Sequence, residues 1–278
     1  MFKLSKIWFT LFIIKKLNSS VIIKFKLELS NKVILITGAS SGIGFELSKV
    51  FAAESCKLAL LSRRINILND LAEELHNKFN CKVLPIKCDV TNENEVRNAV
   101  EAVINHFQKI DIAILNSGKS GRTTTEIVSH ESAKEIFDVN VWGIFNCVKE
   151  ILPIFKLQGL GTFVGISSLA EKRGFPKSGI YCASKAAVSI FLESLRVELW
   201  KTNINVLTVK PGFIKTPMTE KNNFKMPFLI DANKAARIIV KGIKKEKRII
   251  QFPFPTVLFS KLLRILPNNI FEYIASKT

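Results

Sequence analysis

Tyr181 and Lys185 are the pair of residues in this sequence whose spacing points most clearly to chemistry. They are four positions apart in a stretch with a helical pattern, so both side chains project from one face of the helix. A free phenol has a pKa near ~10, and a neighbouring ammonium favours its ionised form. The pair is therefore suited to exchanging a proton with a substrate near neutral pH. Ser167 and Ser168 follow a predicted strand shortly before the tyrosine, and either hydroxyl is a candidate for orienting a substrate carbonyl.

A second candidate site is the turn Thr37-Gly38-Ala39-Ser40-Ser41-Gly42-Ile43-Gly44, which connects a predicted strand to an amphipathic helix. Glycines permit a tight turn and let backbone N–H groups approach a pyrophosphate at the positive end of that helix. The spacing G-x-x-x-G-x-G differs from the G-x-G-x-x-G dinucleotide pattern, and no Gly-Lys-Ser/Thr follows as in a P-loop. Taken alone, the turn is also compatible with a plain strand-to-helix connection.

Other reaction types find little support in the sequence. The three histidines are scattered and form no pair with metal-ligand spacing. Leu169 occupies the position where a G-x-S-x-G nucleophile elbow needs its second glycine. The five cysteines include no CxxC pair, which indicates reduced core thiols rather than a zinc site or a disulfide framework. We therefore expect neither a metal site nor hydrolase chemistry.

The elements around these residues alternate short β-branched runs with longer amphipathic stretches, the pattern of a parallel sheet with helical crossovers. Strands are predicted at 32–37, 57–61, 82–87, 111–115, 161–166, 204–209 and 248–252. Helices are predicted at 43–54, 64–79, 92–107, 131–157, 179–200 and 231–245. Residues 33–36 are all apolar, as expected for a strand covered by helices on both faces. The expected fold class is α/β, a doubly wound parallel sheet in one domain.

In order and separation, a set of motifs resembles the short-chain dehydrogenase/reductase family from about residue 27 to residue 252. The matching residues are Thr37 to Gly44, Asp89-Val90, Asn116-Ser117-Gly118, Asn140, Ser168, Tyr181-x-x-x-Lys185 and Pro211-Gly212. One departure is Ser117, where the family usually has alanine; serine is nearly as small, so the departure weakens the match little. The resemblance implies a Rossmann-type sheet and an oxidoreductase acting on CH–OH donors.

The resemblance also implies roles for individual residues. It makes Tyr181 the acid and base, Lys185 its electrostatic partner and a ligand of the nicotinamide ribose, and Ser168, rather than Ser167, the group that orients the carbonyl. Asn140 is implied to hold a water that connects the lysine to solvent, although an asparagine in a helix can also bend it or satisfy a backbone group. The implied cofactor-binding residues are Gly38, Ser40, Ser41, Gly42, Ile43, Gly44, Ser62, Arg63, Asp89, Val90, Asn116, Gly118, Tyr181, Lys185, Pro211 and Gly212. A scaffold or sensor that binds NADP without turnover is the alternative function, because a fold alone does not specify activity.

The choice of cofactor depends on the end of the second strand. An acidic residue there accepts hydrogen bonds from the adenosine ribose of NAD, whereas arginine suits the additional phosphate of NADP. The sequence has Ser62-Arg63-Arg64 and no acid, so we predict NADP, with Ser62 and Arg63 as phosphate contacts and NAD as the alternative cofactor. The competing interpretation is that both arginines merely begin a solvated helix.

Composition and charge bear on partners and location. With 278 residues, 47% hydrophobic and 23% charged, the chain is an ordinary globular protein and neither disordered nor collagen-like. The net charge of +18 is concentrated at the ends, with +5 in residues 1–30 and +6 in residues 241–278. Only nine of the 41 basic residues are arginine, which argues against nucleic acid as a partner. The remaining interpretations are a general lysine bias and attraction to an anionic membrane.

Three segments follow from these patterns: a basic apolar extension at 1–26, the family domain at 27–252 and an amphipathic tail at 253–278. No apolar run reaches the ~18–20 residues needed to span a membrane, so we expect a cytoplasmic protein that contacts a membrane peripherally through both extensions. In the tail, Thr256, Ser260, Lys261 and Arg264 are predicted on one helix side, opposite Val257, Leu258, Leu262, Leu263, Ile265 and Leu266. Packing of this helix on its own domain is the alternative.

The segment after Pro211-Gly212 indicates the substrate class. In the family a mobile substrate-binding segment follows this motif, and here it contains Met218, Phe224, Met226 and Phe228. Adaptable apolar side chains in such a lid favour a hydrophobic carbonyl or alcohol substrate, with ordinary core packing as the alternative.

The resemblance also bears on oligomeric state. The family commonly pairs subunits through the helices corresponding to 131–157 and 179–200, which implies a homo-oligomer.

Overall fold

Seven parallel strands form the central sheet of the protein. The structure, a computed structural model, describes residues 27–121, 129–220, 222 and 226–277; the predicted extension 1–26 and Phe224 of the lid lie outside them. The strands are β1 (Val33–Thr37), β2 (Lys57–Ser62), β3 (Val83–Lys87), β4 (Ile112–Leu115), β5 (Gly161–Ile166), β6 (Ile204–Pro211), β7 (Ile214–Lys215), β8 (Ile230–Asp231) and β9 (Ile249–Phe252). The main sheet has the order β3-β2-β1-β4-β5-β6-β9, and β7 pairs with β8 separately. The predicted doubly wound α/β sheet is confirmed.

Helices cover both faces of the sheet. They are α1 (Gly42–Ala53), α2 (Ile65–Phe79), α3 (Glu93–Phe107), α4 (His130–Phe137), α5 (Gly143–Gln158), α6 (Gly179–Glu198), α7 (Ala232–Lys244), α8 (Phe254–Ile265) and α9 (Asn268–Ala275). One buried cluster joins α1, α2 and α7 to the sheet through residues such as Phe51 and Ile239. A second cluster on the opposite face joins α3, α5 and α6 through residues such as Ile151 and Leu192. Every residue of β1 is buried, because helices lie on both of its sides.

The predicted helix 131–157 is interrupted, which the sequence pattern did not indicate. A π-helical turn, Asp138–Trp142, separates α4 from α5. Asn140 lies in this turn and is fully buried, with its amide bonded to the backbone of Lys119 and to the hydroxyl of Ser184. Single π turns of this kind are common at functional sites. The π turn contains Asn140, the residue of the predicted helix 131–157 that the family motif assigns to the site.

The tail after β9 forms two helices, and its sides differ from the prediction. The inward face of α8 contains Thr256, Val257, Ser260 and Leu263, whereas the predicted apolar side is largely exposed at Leu258, Leu262 and Ile265. Thr256 faces inward because α8 lies close to the chain at Gly212, where an added Cβ would approach the Thr256 methyl group to 2.9 Å. The polar side of the helix is thus partly turned toward the domain.

Arg173 attaches these helices to the domain. Its guanidinium donates to the carbonyl oxygens of Leu263 (3.0 Å) and Leu266 and to Asn268 Oδ1 (2.9 Å), and it lies 4.5 Å from the Phe271 ring centroid. Within the part of the chain that the structure describes, no helix has the length and apolar character needed to cross a membrane.

Candidate active site

The carboxyl ends of β1 and β4 form a crevice at the middle of the sheet, where the strand order reverses. Asn116, just after β4, bridges the two strand ends: its Nδ2 donates to the carbonyl oxygens of Thr37 (3.0 Å) and Gly38 (3.3 Å). The Thr37 hydroxyl in turn accepts from the amides of Asn116 (3.0 Å) and Ser117 (3.1 Å). These bonds fix the width of the crevice.

The glycine turn closes one side of this crevice and leads into α1. Gly38 and Gly42 have φ angles of +66° and +59°, which side chains rarely adopt. A Cβ on Gly44 would lie 2.5 Å from both Asn116 Nδ2 and the Gly38 carbonyl oxygen, so a larger residue would collide with the turn. The first N–H groups of α1 have no partners within the helix, and at its positive end they are suited to a phosphate.

A cluster of polar side chains stands beside the turn at the end of β2. Arg64 donates from Nε (3.1 Å) and Nη2 (2.9 Å) to Ser40 Oγ, and from Nη2 to Ser41 Oγ (2.8 Å). Ser62 Oγ is 2.7 Å from Ser40 Oγ and accepts from the Arg64 amide at 3.0 Å. Arg63 points elsewhere, with 74% of its side chain exposed and Nη1 3.6 Å from Asp89 Oδ2. The structure therefore places Arg64, which the sequence analysis did not assign, over the turn.

Three of the predicted catalytic side chains meet at the carboxyl end of β5. Ser168 caps a 3₁₀ turn, Leu169–Lys172, with its Oγ accepting from the Ala170 amide at 3.1 Å. Tyr181, in the first turn of α6, lies beside Ser168, whose side chain lowers the pKa of the phenol. Lys185 lies one helical turn further, with Nζ 5.9 Å from the centroid of the Tyr181 ring and donating to the Ile166 carbonyl oxygen at 2.9 Å.

Burial governs the ionisation of Tyr181 and Lys185. It raises the pKa of the Tyr181 phenol above its ordinary value, and the polar side chain of Ser168 opposes this effect. Burial lowers the pKa of Lys185 to about 8. The lysine is therefore still mainly charged near neutral pH, and the tyrosine carries its proton in the protein alone. In this state the pair holds a transferable proton next to a cation.

Ser167 faces away from Tyr181. Its hydroxyl is buried, 2.9 Å from the Lys185 carbonyl oxygen and 2.8 Å from Glu171 Oε2. Of the two adjacent serines, Ser168 is the one whose side chain influences the pKa of Tyr181. This arrangement favours the assignment that the family motif implies.

Asn140 and Gly118 complete the surroundings of Lys185. Asn140 Oδ1 accepts from the Lys119 amide (2.7 Å), and its Nδ2 donates to the Lys119 carbonyl oxygen and to Ser184 Oγ, each at 2.9 Å. A Cβ on Gly118 would stand 3.4 Å from Asn140 Oδ1 and 3.5 Å from Lys185 Nζ. Glycine at this position therefore keeps the space before the ammonium open, while the Asn140 side chain fixes the loop after β4.

The remaining predicted residues lie at the same edge of the sheet. Asp89 accepts hydrogen bonds from the amide (3.0 Å) and hydroxyl (2.9 Å) of Thr91, and Val90 is buried beside it. Pro211 ends β6, and the Gly212 amide donates to the Phe252 carbonyl oxygen at 2.8 Å. They shape the loops around the crevice, and the Asp89 carboxylate also lies 3.6 Å from Arg63 Nη1.

The residues present fit a nicotinamide dinucleotide. The glycine turn at the start of α1 would hold the pyrophosphate, the Ser40–Ser62–Arg64 cluster offers donors for a phosphate or ribose, and the open space at Gly118 faces Lys185. Among the described residues no group of histidine, cysteine or acidic side chains could hold a metal ion.

Comparison with known proteins decides the family. The model of the short chain dehydrogenase family matches residues 32–226. An oxidoreductase of Myxococcus xanthus is 33% identical over 250 residues, covering 90% of this chain and 98% of the relative. This chain is a short-chain dehydrogenase. Like the other members of its family, the dehydrogenase is an oxidoreductase that has a Rossmann-type domain and uses a nicotinamide cofactor and a small-molecule substrate.

Two further relatives of the dehydrogenase have named activities. An NADP-dependent 3-hydroxy acid dehydrogenase of Schizosaccharomyces pombe is 34% identical over 194 residues, covering 68% of this chain and 74% of the relative. The crystal structure of an NADPH-dependent 3-quinuclidinone reductase from Rhodotorula rubra aligns with a TM-score of 0.74 at 27% identity, covering 81% of this chain and 91% of that one.

Two features of the site were not predicted from the dehydrogenase's sequence. Arg64 was recognised as basic, but nothing in the sequence distinguishes its direction from that of Arg63. Glu171 and Lys210 form a buried pair behind the Ser168 turn. The sequence offered two signals for this pair: Glu171 is a charged residue three positions after the motif Ser168, and Lys210 is another just before Pro211-Gly212.

Proposed function

We propose that this dehydrogenase interconverts a carbonyl and a secondary alcohol with NADP(H), with Tyr181 as the acid and base. The observation that carries the proposal is the placement of Tyr181 one helical turn before the buried Lys185, whose Nζ is 5.9 Å from the Tyr181 ring centroid, with Ser168 at the adjacent end of β5. When bound, NADP(H) supplies or accepts the hydride. The Tyr181 hydroxyl and the Ser168 hydroxyl are adjacent, so one substrate oxygen can contact both.

The chain's own residues then manage the proton. In the reducing direction Tyr181 gives its proton to the oxygen that becomes the alcohol, while Ser168 orients that oxygen and stabilises its developing negative charge. The Lys185 cation stabilises the phenolate that Tyr181 becomes. We assign to Asn140 the connection from Lys185 to solvent, supported by its burial in the π turn behind Gly118. The oxidising direction uses the same groups in reverse.

Preference for NADP over NAD is supported by the cluster at the end of β2. The positively charged guanidinium of Arg64 donates hydrogen bonds to Ser40 and Ser41 of the glycine turn, and the segment Ser62–Arg64 contains no acidic residue. Arginine recognises phosphate through several N–H donors at once. We infer that Arg64 and Ser62 contact the additional phosphate, while the exposed Arg63 supplies a second positive charge nearby.

A hydrophobic substrate is supported by the segment between β7 and β8. Their pairing brings Ile214 opposite Ile230 beyond the end of β6, and the described residues 216–220, 222 and 226–229 belong to the loop between these two strands. Met218 and Phe228 in this loop are exposed, and Met226 is partly buried. Exposed apolar side chains beside a catalytic crevice favour an apolar ligand. Comparing kcat/KM along a series of ketones of increasing chain length tests this, and a preference for the most polar members would contradict it.

A homo-oligomer is supported by an aromatic row formed by the π turn, α5 and α6. Trp142 contacts Phe145 at 5.8 Å between ring centroids, and Phe145 contacts Phe191 of α6 at 5.9 Å. Trp142 and Phe145 are also exposed, as is Ile190 on the neighbouring helix. Contiguous exposed apolar side chains mark contact surfaces. Light scattering during size-exclusion chromatography should give a multiple of 31.3 kDa, and a monomer at micromolar concentration would contradict the assignment.

We also propose that residues 27–252 are the catalytic domain, and that the enzyme contacts an anionic membrane peripherally through the flanking segments. Support comes from α8 and α9, whose outer surface is apolar: its exposed residues are Phe254, Leu258, Phe259, Leu262, Ile265, Ile270, Tyr273 and Ile274. Lys261, Arg264 and Lys277 accompany them against the single acid Glu272. This combination of apolar and basic residues suits the interface of an anionic bilayer.

NADPH absorbance during incubation with a panel of ketones, aldehydes and 3-oxo acids, and NADP⁺ reduction with the corresponding alcohols, test the proposed reaction. Turnover of at least one carbonyl–alcohol pair is expected. Tight binding of NADPH without turnover of any pair would instead support the alternative of a non-catalytic NADP-binding scaffold or sensor.

A further inference from the structure

A buried carboxylate stands directly behind the catalytic serine and takes no part in the proton transfers described above. Glu171 is the third residue of the 3₁₀ turn that Ser168 caps, and only 7% of its side chain is exposed. Carboxylates are rarely buried this deeply unless they are paired and hydrogen-bonded. The partners of Glu171 therefore indicate what the residue does.

Glu171 is bonded to three different elements at once. Its Oε2 accepts a hydrogen bond from Ser167 at the end of β5 (2.8 Å) and another from Ser189 of α6, and its Oε1 pairs with Lys210 of β6. The Ser167 and Ser189 hydroxyls are themselves 3.0 Å apart. A single carboxylate thus connects the serine turn to two strands of the sheet and to the catalytic helix.

The contact with α6 lies on the catalytic face of that helix. Tyr181, Lys185 and Ser189 are spaced by four residues, so Ser189 is one turn beyond Lys185 on the same face. Ser167 also lies against this helix: its hydroxyl oxygen is 2.9 Å from the Lys185 carbonyl oxygen, so its single proton can be donated either to that oxygen or to Glu171. The position of the serine turn relative to Tyr181 and Lys185 is consequently set by bonds that converge on Glu171.

We propose that Glu171 is a positioning residue, which with Lys210, Ser167 and Ser189 fixes the distance between the Ser168 hydroxyl and the Tyr181 phenol. This inference rests on the proposed function, since it concerns the geometry of that reaction. Misplacing reacting groups by about 1 Å can slow a reaction about 10²-fold. Glu171 touches neither substrate nor cofactor in this role; it acts through the groups that do.

The main test compares Glu171→Ala with a control variant, Asp111→Ala. Asp111 is also a buried carboxylate held by two lysines, Lys32 (3.1 Å) and Lys109 (2.9 Å), but it precedes β4 at the opposite edge of the sheet. Both variants remove a buried acid and leave lysines unpaired, so both are expected to lower stability. Only the Glu171 variant should alter the geometry of the site.

Single-turnover oxidation of NADPH, with enzyme in excess over NADPH and the best substrate of the panel saturating, measures the rate constant of the chemical step. Urea unfolding of the same variants measures their stability. Glu171→Ala should lower the rate constant by about tenfold to a hundredfold. Asp111→Ala should lower stability and leave the rate constant unchanged. Hydrogen exchange of the unliganded proteins, followed by mass spectrometry, should be faster across residues 167–173 in the Glu171 variant than in the control.

Two milder variants keep the test decisive if Glu171→Ala does not fold. Ser189→Ala removes one bond and should give a smaller reduction of the rate constant. Glu171→Gln combined with Lys210→Met keeps an oxygen acceptor for the serines without leaving a buried charge, so it should restore the wild-type rate. An unchanged rate constant and unchanged exchange in the folded Glu171 or Ser189 variants would overturn the proposal. If the wild type itself turns over no substrate, the proposed function fails, while the exchange comparison still tests the bonds that hold the turn.

Discussion

Arg64 is the residue whose placement bears most directly on cofactor preference. Its guanidinium reaches Ser40 and Ser41 of the glycine turn, whereas the neighbouring Arg63 extends toward Asp89. We predict that Arg64→Asp weakens NADPH binding by about tenfold or more, because charge-assisted hydrogen bonds are worth about 1.5–3 kcal/mol each. Fluorescence titration with NADPH and NADH measures the change in preference.

Arg63→Asp is the matched control for that experiment. It changes the local charge equally, but its side chain lies away from the turn, so its effect on the NADPH to NADH ratio should be smaller. A larger effect at Arg63 than at Arg64 would show that the exposed arginine reads the phosphate instead.

Lys185 should make the stability of the enzyme depend on alkaline pH. Burial lowers the pKa of the folded-state lysine to about 8, whereas an unfolded lysine titrates near ~10.4. Between these values the unfolded chain binds more protons, so the contribution of Lys185 to the free energy of unfolding rises with pH. Below pH 8 both states carry the proton and the full burial penalty remains.

Urea unfolding of the wild type and of Lys185→Met at pH 7 and pH 10 measures this contribution. The wild type should gain stability relative to the variant as the pH rises. If the stability of the wild type relative to the variant stays constant or falls, the pKa of Lys185 is not lowered in the folded state.

At the residue level, the identities of Ser168, Tyr181 and Lys185 followed from their spacing and from the family motif, but their surroundings did not. The direction of Arg64 depends on its side-chain conformation. Because Arg63 and Arg64 are adjacent and identical in type, the sequence does not show which of them turns toward the glycine turn. The Glu171–Lys210 pair joins residues 39 positions apart, and only the pairing of β5 with β6 brings them together. Local patterns do not contain such long-range contacts.

At the level of elements, tight packing between α5 and β5 holds the strand that leads to Ser168. The Phe155 ring lies over Gly161, where an added Cβ would be 2.2 Å from the ring atom Cγ. Gly161→Ala should therefore lower the free energy of unfolding by about 1–3 kcal/mol, as overpacked cores do. Thermal and urea unfolding provide the measurement.

Gly174→Ala serves as the control for this prediction. Its added methyl group would meet no atom within 4 Å, and the residue has no left-handed backbone conformation, so the variant should keep wild-type stability. Equal stability of the two variants would contradict the packing described for Gly161.

Inner strands such as β1 and β4 were predictable because apolar runs buried on both faces leave a clear signal. Asn92 caps α3 and accepts from the amides of Asn94 (3.0 Å) and Glu95 (3.2 Å). The π turn at Asp138–Trp142 was not predictable, because its residues continue a helical pattern while the buried Asn140 bonds to a distant loop. The sides of α8 were misassigned for a related reason, since Thr256 and Ser260 pack against chain that lies far from them in sequence.

For the whole molecule, the outer surface of α8 and α9 predicts binding to anionic vesicles at low salt. Flotation with anionic and neutral liposomes should recover the full chain with anionic ones, and salt should weaken the binding because surface charges are screened. Replacing Phe254 and Ile265 by serine should reduce recovery, since both are more than three-quarters exposed on this surface.

Leu157→Ser is the control for surface hydrophobicity elsewhere, because Leu157 on α5 is 89% exposed but lies on another helix. It should leave flotation unchanged. Full-length protein that stays in the soluble fraction with anionic vesicles at low salt would show that the tail does not bind membranes. The full chain includes the charges of residues 1–26. A variant that lacks residues 1–26 shows how much of the vesicle binding they contribute.

The central claim is that Tyr181 transfers the proton in a carbonyl–alcohol conversion, and Tyr181→Phe tests it most directly. The variant removes one oxygen atom from a side chain beside Lys185 and leaves the glycine turn and Arg64 untouched. We predict that kcat on the best substrate of the panel falls by about 10²–10⁴-fold, the usual contribution of a general acid, while the Kd of NADPH remains at the wild-type value. Wild-type turnover by Tyr181→Phe would contradict the mechanism.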